Sequence, residues 1–148
     1  MEIRSSIFEP NTRIPVRYTG EGNDVSPPLR WRGVPEGTRE LALVCDDPDA
    51  PRPEPWVHWI VYKISPAVTH LEEGAKGEWL EGNNDFGKTS YGGPMPPKGH
   101  GVHHYRFRLY ALDIALPAKP GLTKKELLEK IEGHVLADTE LVATYDRK

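Results

Sequence analysis

Three stretches of the sequence contain side chains whose types and spacing could do chemistry. In the first, residues 46–51, prolines end the strand predicted by the apolar run 41–45 and leave carboxylates at its mouth. The second, residues 56–59, places a histidine inside a strand between large aromatic residues. The third, residues 82–101, is a long segment rich in glycine and proline, and ordered loops of this length tend to be functional. Together these stretches offer carboxylates, imidazoles and accessible backbone for a polar ligand.

The strand that follows the third stretch separates two neighbouring histidines. Because strand side chains alternate between two faces, His103 and Tyr105 share an apolar face, whereas His104 shares the opposite face with Arg106 and Arg108. We therefore predict that His103 and Tyr105 point inward at the mouth of this strand. His104 is predicted to point away from them, on a basic and solvated face.

The elements that position these residues are predicted to be mostly β-strands. Fifteen prolines and fourteen glycines are spread along the chain and divide it into short segments. Residues 103–112 alternate as in a strand, and residues 56–64 are apolar on both faces, as in a central strand. One helix is predicted in the C-terminal third, where Thr123 and Glu126 have the capping-box pattern. Its apolar positions are Leu127, Leu128, Ile131 and Val135.

Length and composition predict one folded domain spanning residues 1–148. A chain of 148 residues with 37% hydrophobic residues is long enough to bury a single core. The net charge of -3, with both signs interspersed, lacks the concentrated basic face of nucleic-acid-binding proteins. Cys45 is the only cysteine, which excludes an intrachain disulfide, a zinc ribbon and a CxxC redox site. Since no segment approaches the ~20 apolar residues of a membrane span, we expect a cytoplasmic protein.

The three stretches contain motifs that are specific in combination. The motifs are Asp47-Pro48-Asp49-Ala50-Pro51, Trp56-Val57-His58-Trp59, and Gly92-Gly93-Pro94-Met95-Pro96-Pro97-Lys98-Gly99-His100-Gly101-Val102-His103-His104-Tyr105. In this order and spacing they resemble the phosphatidylethanolamine-binding protein family, also called the Raf kinase inhibitor proteins. Weaker similarity extends from Asp24 to Tyr145 and so covers nearly the whole chain. The short connection between the first two motifs is similar to the bacterial and archaeal branch.

The resemblance implies a two-sheet β fold with a short C-terminal helix and a small pocket for phosphate-like groups. The ligand-binding residues that it implies are Asp47, Asp49, Pro51, His58, Gly92, Gly93, Pro97, His103 and Tyr105. The family also has a cis peptide bond just before the tryptophan that begins the central strand. Because cis bonds are mainly a proline phenomenon, this predicts that the Glu54–Pro55 bond is cis.

The implied residues have the chemistry of an anion site. Two imidazoles beside a carboxylate can each be protonated near neutral pH and donate to phosphate oxygens. A tyrosine hydroxyl and glycine amides would add further donors. We therefore expect a non-enzymatic binding or regulatory protein, Raf kinase inhibitor-like, that takes a small anion or a phosphorylated head group. We expect no cofactor, no bound metal and a homodimer.

Two other functions are compatible with the same residues. The protein could inhibit a protease or a kinase through its surface, in which case its partner is a protein. Alternatively, the His/Asp cluster could hold a metal ion in a hydrolase, since two histidines with one or two aspartates can bind zinc. The sequence contains no HExxH helix and no serine in a GxSxG elbow, which disfavours the common hydrolase classes.

Overall fold

The computed structural model describes all 148 residues, 1–148. The chain forms nine β-strands, one α-helix and one 3-10 turn at Val16–Tyr18. In chain order the elements are β1 (Glu2–Arg4), β2 (Thr12–Arg13), β3 (Leu29–Arg32), β4 (Glu40–Asp47), β5 (Trp56–Ile64), β6 (His70–Leu71), β7 (Leu80–Glu81), β8 (His103–Leu112), α1 (Lys124–Ile131) and β9 (Val135–Tyr145).

The strands form two sheets. The larger sheet has six strands in the order β2-β9-β8-β4-β5-β7, and the smaller has three in the order β1-β3-β6. Neighbouring strands are antiparallel, except that β2 and β9 are parallel. The predicted mostly-β architecture of two sheets with a short helix near the C-terminus is confirmed.

The large sheet is covered on both faces. One face packs against the small sheet in a cluster of 21 buried residues, the main core, and the other packs beneath α1 in a cluster of 10. Ile60 and Val61, consecutive in β5, belong to different clusters because strand side chains alternate. β5 is therefore buried on both faces, as its sequence predicts. In the large sheet β5 is an interior strand between β4 and β7, while β8 and β4 occupy the two middle positions.

The helix α1 begins where the sequence predicts and ends earlier. Thr123 is its N-cap: the hydroxyl accepts from the amide of Glu126, whose carboxylate accepts from the amide of Thr123. The helix ends at Ile131, and Gly133 follows with φ +80°, a left-handed conformation that commonly terminates helices. The prediction that Val135 continues the helix is wrong, since Val135 begins β9. Neither α1 nor the 3-10 turn has the length and apolar character needed to cross a membrane.

The connection between β4 and β5 contains no cis peptide bond, so the prediction of a cis Glu54–Pro55 bond is wrong. Arg52 organises this connection. Its guanidinium donates to the carbonyl oxygens of Glu54 and Pro55, at 3.0 and 2.8 Å, and lies 4.6 Å from the ring centre of Trp56. These contacts form with the Glu54–Pro55 bond in the trans form, which X–Pro bonds prefer by ~0.5–1 kcal/mol.

Candidate functional site

The candidate site is a cavity at one end of the large sheet. β4 runs antiparallel to both β5 and β8, so that the end of β4 meets the beginnings of its two neighbours. The cavity has a volume of about 200 Å³ and opens between the strand ends and the loops that follow them. It is lined by Asp47, Ala50, Pro51, Trp56, His58, Phe86, Met95, Pro96, Pro97, His103 and Tyr105.

His103 forms the centre of a hydrogen-bonded chain on one wall of the cavity. Its ring is 2% exposed, and its Nδ1 donates to Oδ2 of Asp47 over 2.6 Å. Its other ring nitrogen, Nε2, lies 2.6 Å from Nδ1 of His100, which is exposed. Asp47 is also buried, and its Oδ1 accepts from the backbone amide of Asp49 at 2.8 Å. The carboxylate therefore fixes the orientation of the His103 ring, as expected of an Asp–His pair.

His58 reaches the cavity because β5 contains a β-bulge. The ladder between β4 and β5 shifts register between the pairs Cys45–Trp59 and Asp46–Val57, which leaves His58 as an extra residue. Its Nδ1 donates to the carbonyl oxygen of Gly92 at 2.6 Å. Burial lowers the pKa of His58, against the opposing effects of that carbonyl and of Asp47. The imidazole is therefore neutral at pH 7 with its proton on Nδ1, and Nε2 is an acceptor that becomes a donor on protonation.

The ring of Tyr105 lies near both cavity histidines. Its ring packs edge-on against His58, with ring centres 5.1 Å apart, and lies 6.5 Å from the ring centre of His103. Burial and, next, the nearby Asp47 carboxylate raise the pKa of Tyr105. The hydroxyl stays protonated at physiological pH, so it can donate a hydrogen bond to a ligand.

The remaining walls of the cavity are apolar. Trp56 and Phe86 pack edge to face with ring centres 5.4 Å apart, and Phe86 also packs against His58. Met95 also lines the cavity and packs against Gly20, where a Cβ atom would come within 2.9 Å of the methionine sulfur. Phe86 and Met95 are 41% and 44% exposed, so they form an apolar rim around the polar floor. The arrangement suits a ligand with a polar group and a short apolar or aromatic substituent.

Comparison with known proteins agrees with this geometry. Residues 4–146 match the family model described as phosphatidylethanolamine-binding protein. The chain belongs to the phosphatidylethanolamine-binding protein family. It is 47% identical to a UPF0098 protein of Pyrococcus horikoshii, over 97% of this chain and 76% of that one, and 46% identical to a UPF0098 protein of Methanothermobacter thermautotrophicus, over 99% of both.

Several solved structures have the same fold. A phosphatidylethanolamine-binding protein homologue from Chlamydia trachomatis superposes with a TM-score of 0.94 at 40% identity, covering 99% of this chain and 97% of the other. Escherichia coli YbcL superposes with a TM-score of 0.92 at 32% identity, covering 99% and 98%. The carboxypeptidase Y inhibitor in complex with its proteinase shares the fold, with a TM-score of 0.62 at 16% identity over 99% and 83% of the two chains.

Six of the nine residues predicted for a phosphatidylethanolamine-binding protein pocket line the cavity: Asp47, Pro51, His58, Pro97, His103 and Tyr105. Asp49 does not line it. Its Oδ2 accepts from the backbone amide and the Nδ1 of His104, on the outer side of β8. Asp49 lies in the loop two residues beyond Asp47, and its carboxylate accepts from the amide of His104 at the start of β8 instead of facing the cavity.

Gly92 and Gly93 were predicted to offer amide donors, and both amides are already used within the protein. The Gly92 amide donates to the carbonyl oxygen of His58 at 3.0 Å, and the Gly93 amide donates to Oδ1 of Asp24 at 2.7 Å. A Cβ atom on Gly93 would come within 2.5 Å of the Tyr18 carbonyl oxygen. These glycines therefore permit close packing of the loop and position His58, and neither lines the cavity.

Several residues of the site were missed by the sequence argument: Ala50, Trp56, Phe86, Met95, Pro96 and His100. Most of them are apolar, and an apolar residue in a loop carries no local signal of cavity lining. His100 lies three residues before His103, within the same quoted motif, but its contact depends on how the loop folds back. No group of three or more His, Cys, Asp or Glu side chains is arranged to hold a metal ion.

Proposed function

We propose that the protein is a non-enzymatic binding protein of the Raf kinase inhibitor-like type, whose cavity takes a phosphate-like anion or a phosphorylated head group. The observation that carries this proposal is the convergence of His58, His103 and Tyr105 on one small cavity. The Tyr105 hydroxyl can donate as it is, and each imidazole can donate once its Nε2 carries a proton; donors to an ionised phosphate oxygen make stronger hydrogen bonds than neutral pairs do.

Size supports a small ligand. The cavity of about 200 Å³ is smaller than the ~300–1,000 Å³ of typical drug-sized sites. A phosphate group with a substituent of a few atoms fits such a volume, whereas the acyl chains of a whole lipid would have to remain outside. The apolar rim of Phe86 and Met95 lies where that substituent would leave the cavity.

Charge balance explains how an anion is accommodated beside a carboxylate. Asp47 accepts from His103 and from the amide of Asp49, so both of its oxygens are already hydrogen-bonded within the protein. An anion close to His58 favours the protonated imidazole, which converts Nε2 from an acceptor into a donor. The Tyr105 hydroxyl needs no change of protonation to donate. Binding is therefore expected to couple to proton uptake by the site.

Isothermal titration of the purified protein with inorganic phosphate and with phosphoethanolamine tests the proposal. We expect both to bind, and Tyr105→Phe to weaken binding by about two- to tenfold through loss of one hydrogen bond. Tyr110→Phe, on the opposite face of β8, is the matched control and should bind as the wild type does. Failure of the wild type to bind either ligand would contradict the anion site. Release of phosphate from p-nitrophenyl phosphate would contradict the non-enzymatic part.

A protein partner is a second candidate, and the exposed rim favours it. Phe86, Met95 and the 54%-exposed Val102 are large apolar side chains on the surface near the cavity. If a protease or kinase binds this rim, the double substitution Phe86→Ser and Met95→Ser should abolish its binding. Val135→Ser, on a distant strand, serves as the control.

Light scattering on the same variants tests the proposed homodimer. If the rim mediates self-association, the double variant should be monomeric.

A further inference from the structure

Both ring nitrogens of His103 are occupied in this structure. Nδ1 donates to Asp47, and Nε2 lies 2.6 Å from Nδ1 of His100. The two imidazole rings meet at 60° with their centres 4.8 Å apart. The nitrogen of His103 that an anion would use is therefore held by another side chain of the same protein.

Only one proton can lie between Nε2 of His103 and Nδ1 of His100 in this geometry. A carboxylate only accepts hydrogen bonds, so Nδ1 of His103 carries a proton. A hydrogen bond between Nε2 of His103 and Nδ1 of His100 needs one donor and one acceptor. Neither nitrogen has a further proton to give, so an anion cannot accept from Nε2 of His103 while His100 is in place.

The side chain of His100 can leave without disturbing the core. It is exposed, whereas His103 is 2% exposed. Gly99 and Gly101 flank it with φ values of +73° and +95°, conformations that glycine adopts readily. The backbone before His100 remains anchored, because the amide of Gly99 donates to the carbonyl oxygen of Arg147 at 2.9 Å. Rotation of one side chain into solvent is enough to free Nε2 of His103.

We propose that His100 is a built-in competitor for the anion and determines which ligands the cavity accepts. This inference rests on the proposed function of the cavity. Nε2 of His103 donates to an anion only when it carries the proton that lies between the two rings, so His103 is then an imidazolium and His100 the acceptor that the ligand displaces. Imidazolium makes its strongest hydrogen bonds to ionised oxygens, so a phosphate oxygen displaces His100 and a neutral hydroxyl or amide does not.

The test compares His100→Ala with wild type and with His104→Ala, an exposed histidine at the same strand mouth that does not line the cavity. Removing the competing hydrogen bond should raise the affinity for inorganic phosphate by about two- to tenfold in His100→Ala. His104→Ala should leave it unchanged. Added imidazole should occupy the vacated position in His100→Ala and compete with phosphate there, at concentrations that leave phosphate binding by the wild type unaffected.

The outcomes separate this inference from the proposed function. Weaker or equal phosphate binding by His100→Ala, with binding by the wild type intact, would overturn the competitor role and leave the anion site standing. Absence of phosphate binding by both proteins would overturn the anion site and the competitor role together. Circular dichroism of the variant should match the wild type, since the substituted side chain is exposed.

Discussion

Asp46 and Asp47 are consecutive residues of β4, yet their side chains serve opposite faces of the large sheet. Asp46 lies on the face covered by α1, where Arg106 donates to its two oxygens at 2.8 and 3.1 Å and Lys124 donates to Oδ2 at 2.6 Å. We call this group the helix-face cluster. Two permanent cations surround one buried carboxylate, and the lysine ties α1 to the sheet.

Asp47 lies on the cavity face, and its partner is an imidazole instead of a permanent cation. It forms, with His103 and His100, the cavity-face cluster, a chain that runs from the buried carboxylate to an exposed ring. Both aspartates are about equally buried, at 5% and 4% exposure. The difference lies in the partners: the helix-face cluster is saturated by groups that keep their charge, whereas the cavity-face cluster contains groups that exchange protons and partners. The first is expected to control stability, and the second ligand binding.

The largest expected effect is on the helix-face cluster. Asp46→Ala leaves Arg106 and Lys124 without their buried partner and should lower the free energy of unfolding by about 2–3 kcal/mol. This is below the ~3–5 kcal/mol of a fully buried pair, because Arg106 and Lys124 side chains are 32% and 22% exposed. Urea unfolding measures the loss, and phosphate affinity of the folded variant should be unchanged. A loss below about 1 kcal/mol would show that the cluster is not what holds α1 to the sheet.

The next effect concerns the cavity-face cluster and appears in binding. His103→Ala should weaken phosphate binding by about ten- to a hundredfold, since a charge-assisted hydrogen bond contributes roughly 1.5–3 kcal/mol. His104→Ala changes the adjacent residue, whose ring is exposed and bound to Asp49, and should have little effect. Isothermal titration of both variants with phosphate measures the two affinities. Equal losses would contradict the assignment of binding to the cavity face.

A smaller effect should appear in the pH dependence of stability. Burial lowers the pKa of His58, whereas the unfolded chain has an imidazole pKa of about 6.5. The unfolded state then binds more protons, so stability is complete above pH about 6.5 and falls as the pH drops towards the lowered pKa, by at most about 1.4 kcal/mol per pH unit.

Urea unfolding between pH 7.5 and 5.5 measures this slope. His58→Asn keeps an amide donor for the carbonyl oxygen of Gly92 and should lack the slope, whereas His104→Ala should retain it. Saturating phosphate should reduce the slope of the wild type, because the anion stabilises the protonated imidazole. A His58→Asn protein with an unchanged slope would place the titrating group elsewhere.

The smallest effect is expected at the outer part of the helix face. Arg108 and Glu140 pair across β8 and β9 at 2.8 Å, with side chains 41% and 32% exposed. Arg108→Ala should change the free energy of unfolding by less than about 0.5 kcal/mol, as is usual for exposed ion pairs. Urea unfolding of this variant beside Asp46→Ala compares an exposed pair with a buried cluster on one face. Similar losses for both would remove the distinction drawn between them.

Local patterns were enough to predict much of this fold. The alternation of residues 103–112 placed His103 and Tyr105 on the buried face and His104 on the other, because one strand's side chains alternate regardless of what it pairs with. The capping box predicted the start of α1 because its hydrogen bonds join residues three positions apart. β9 was not predicted, since only two of its first six residues are even partly buried.

The sequence by itself determined which side chains of β8 are buried, that β5 is buried on both faces, and which family the chain resembles, because all three depend on residue types at short, regular spacing. Only the tertiary structure decided where periodicity breaks. The bulge that brings His58 beside Tyr105 depends on the pairing of β5 with β4. The hydrogen bond from the Gly93 amide to Asp24 joins residues 69 positions apart. The contact of His100 with His103 likewise depends on how a loop folds back onto a strand end. Such contacts depend on distances between separate segments, which no local pattern encodes.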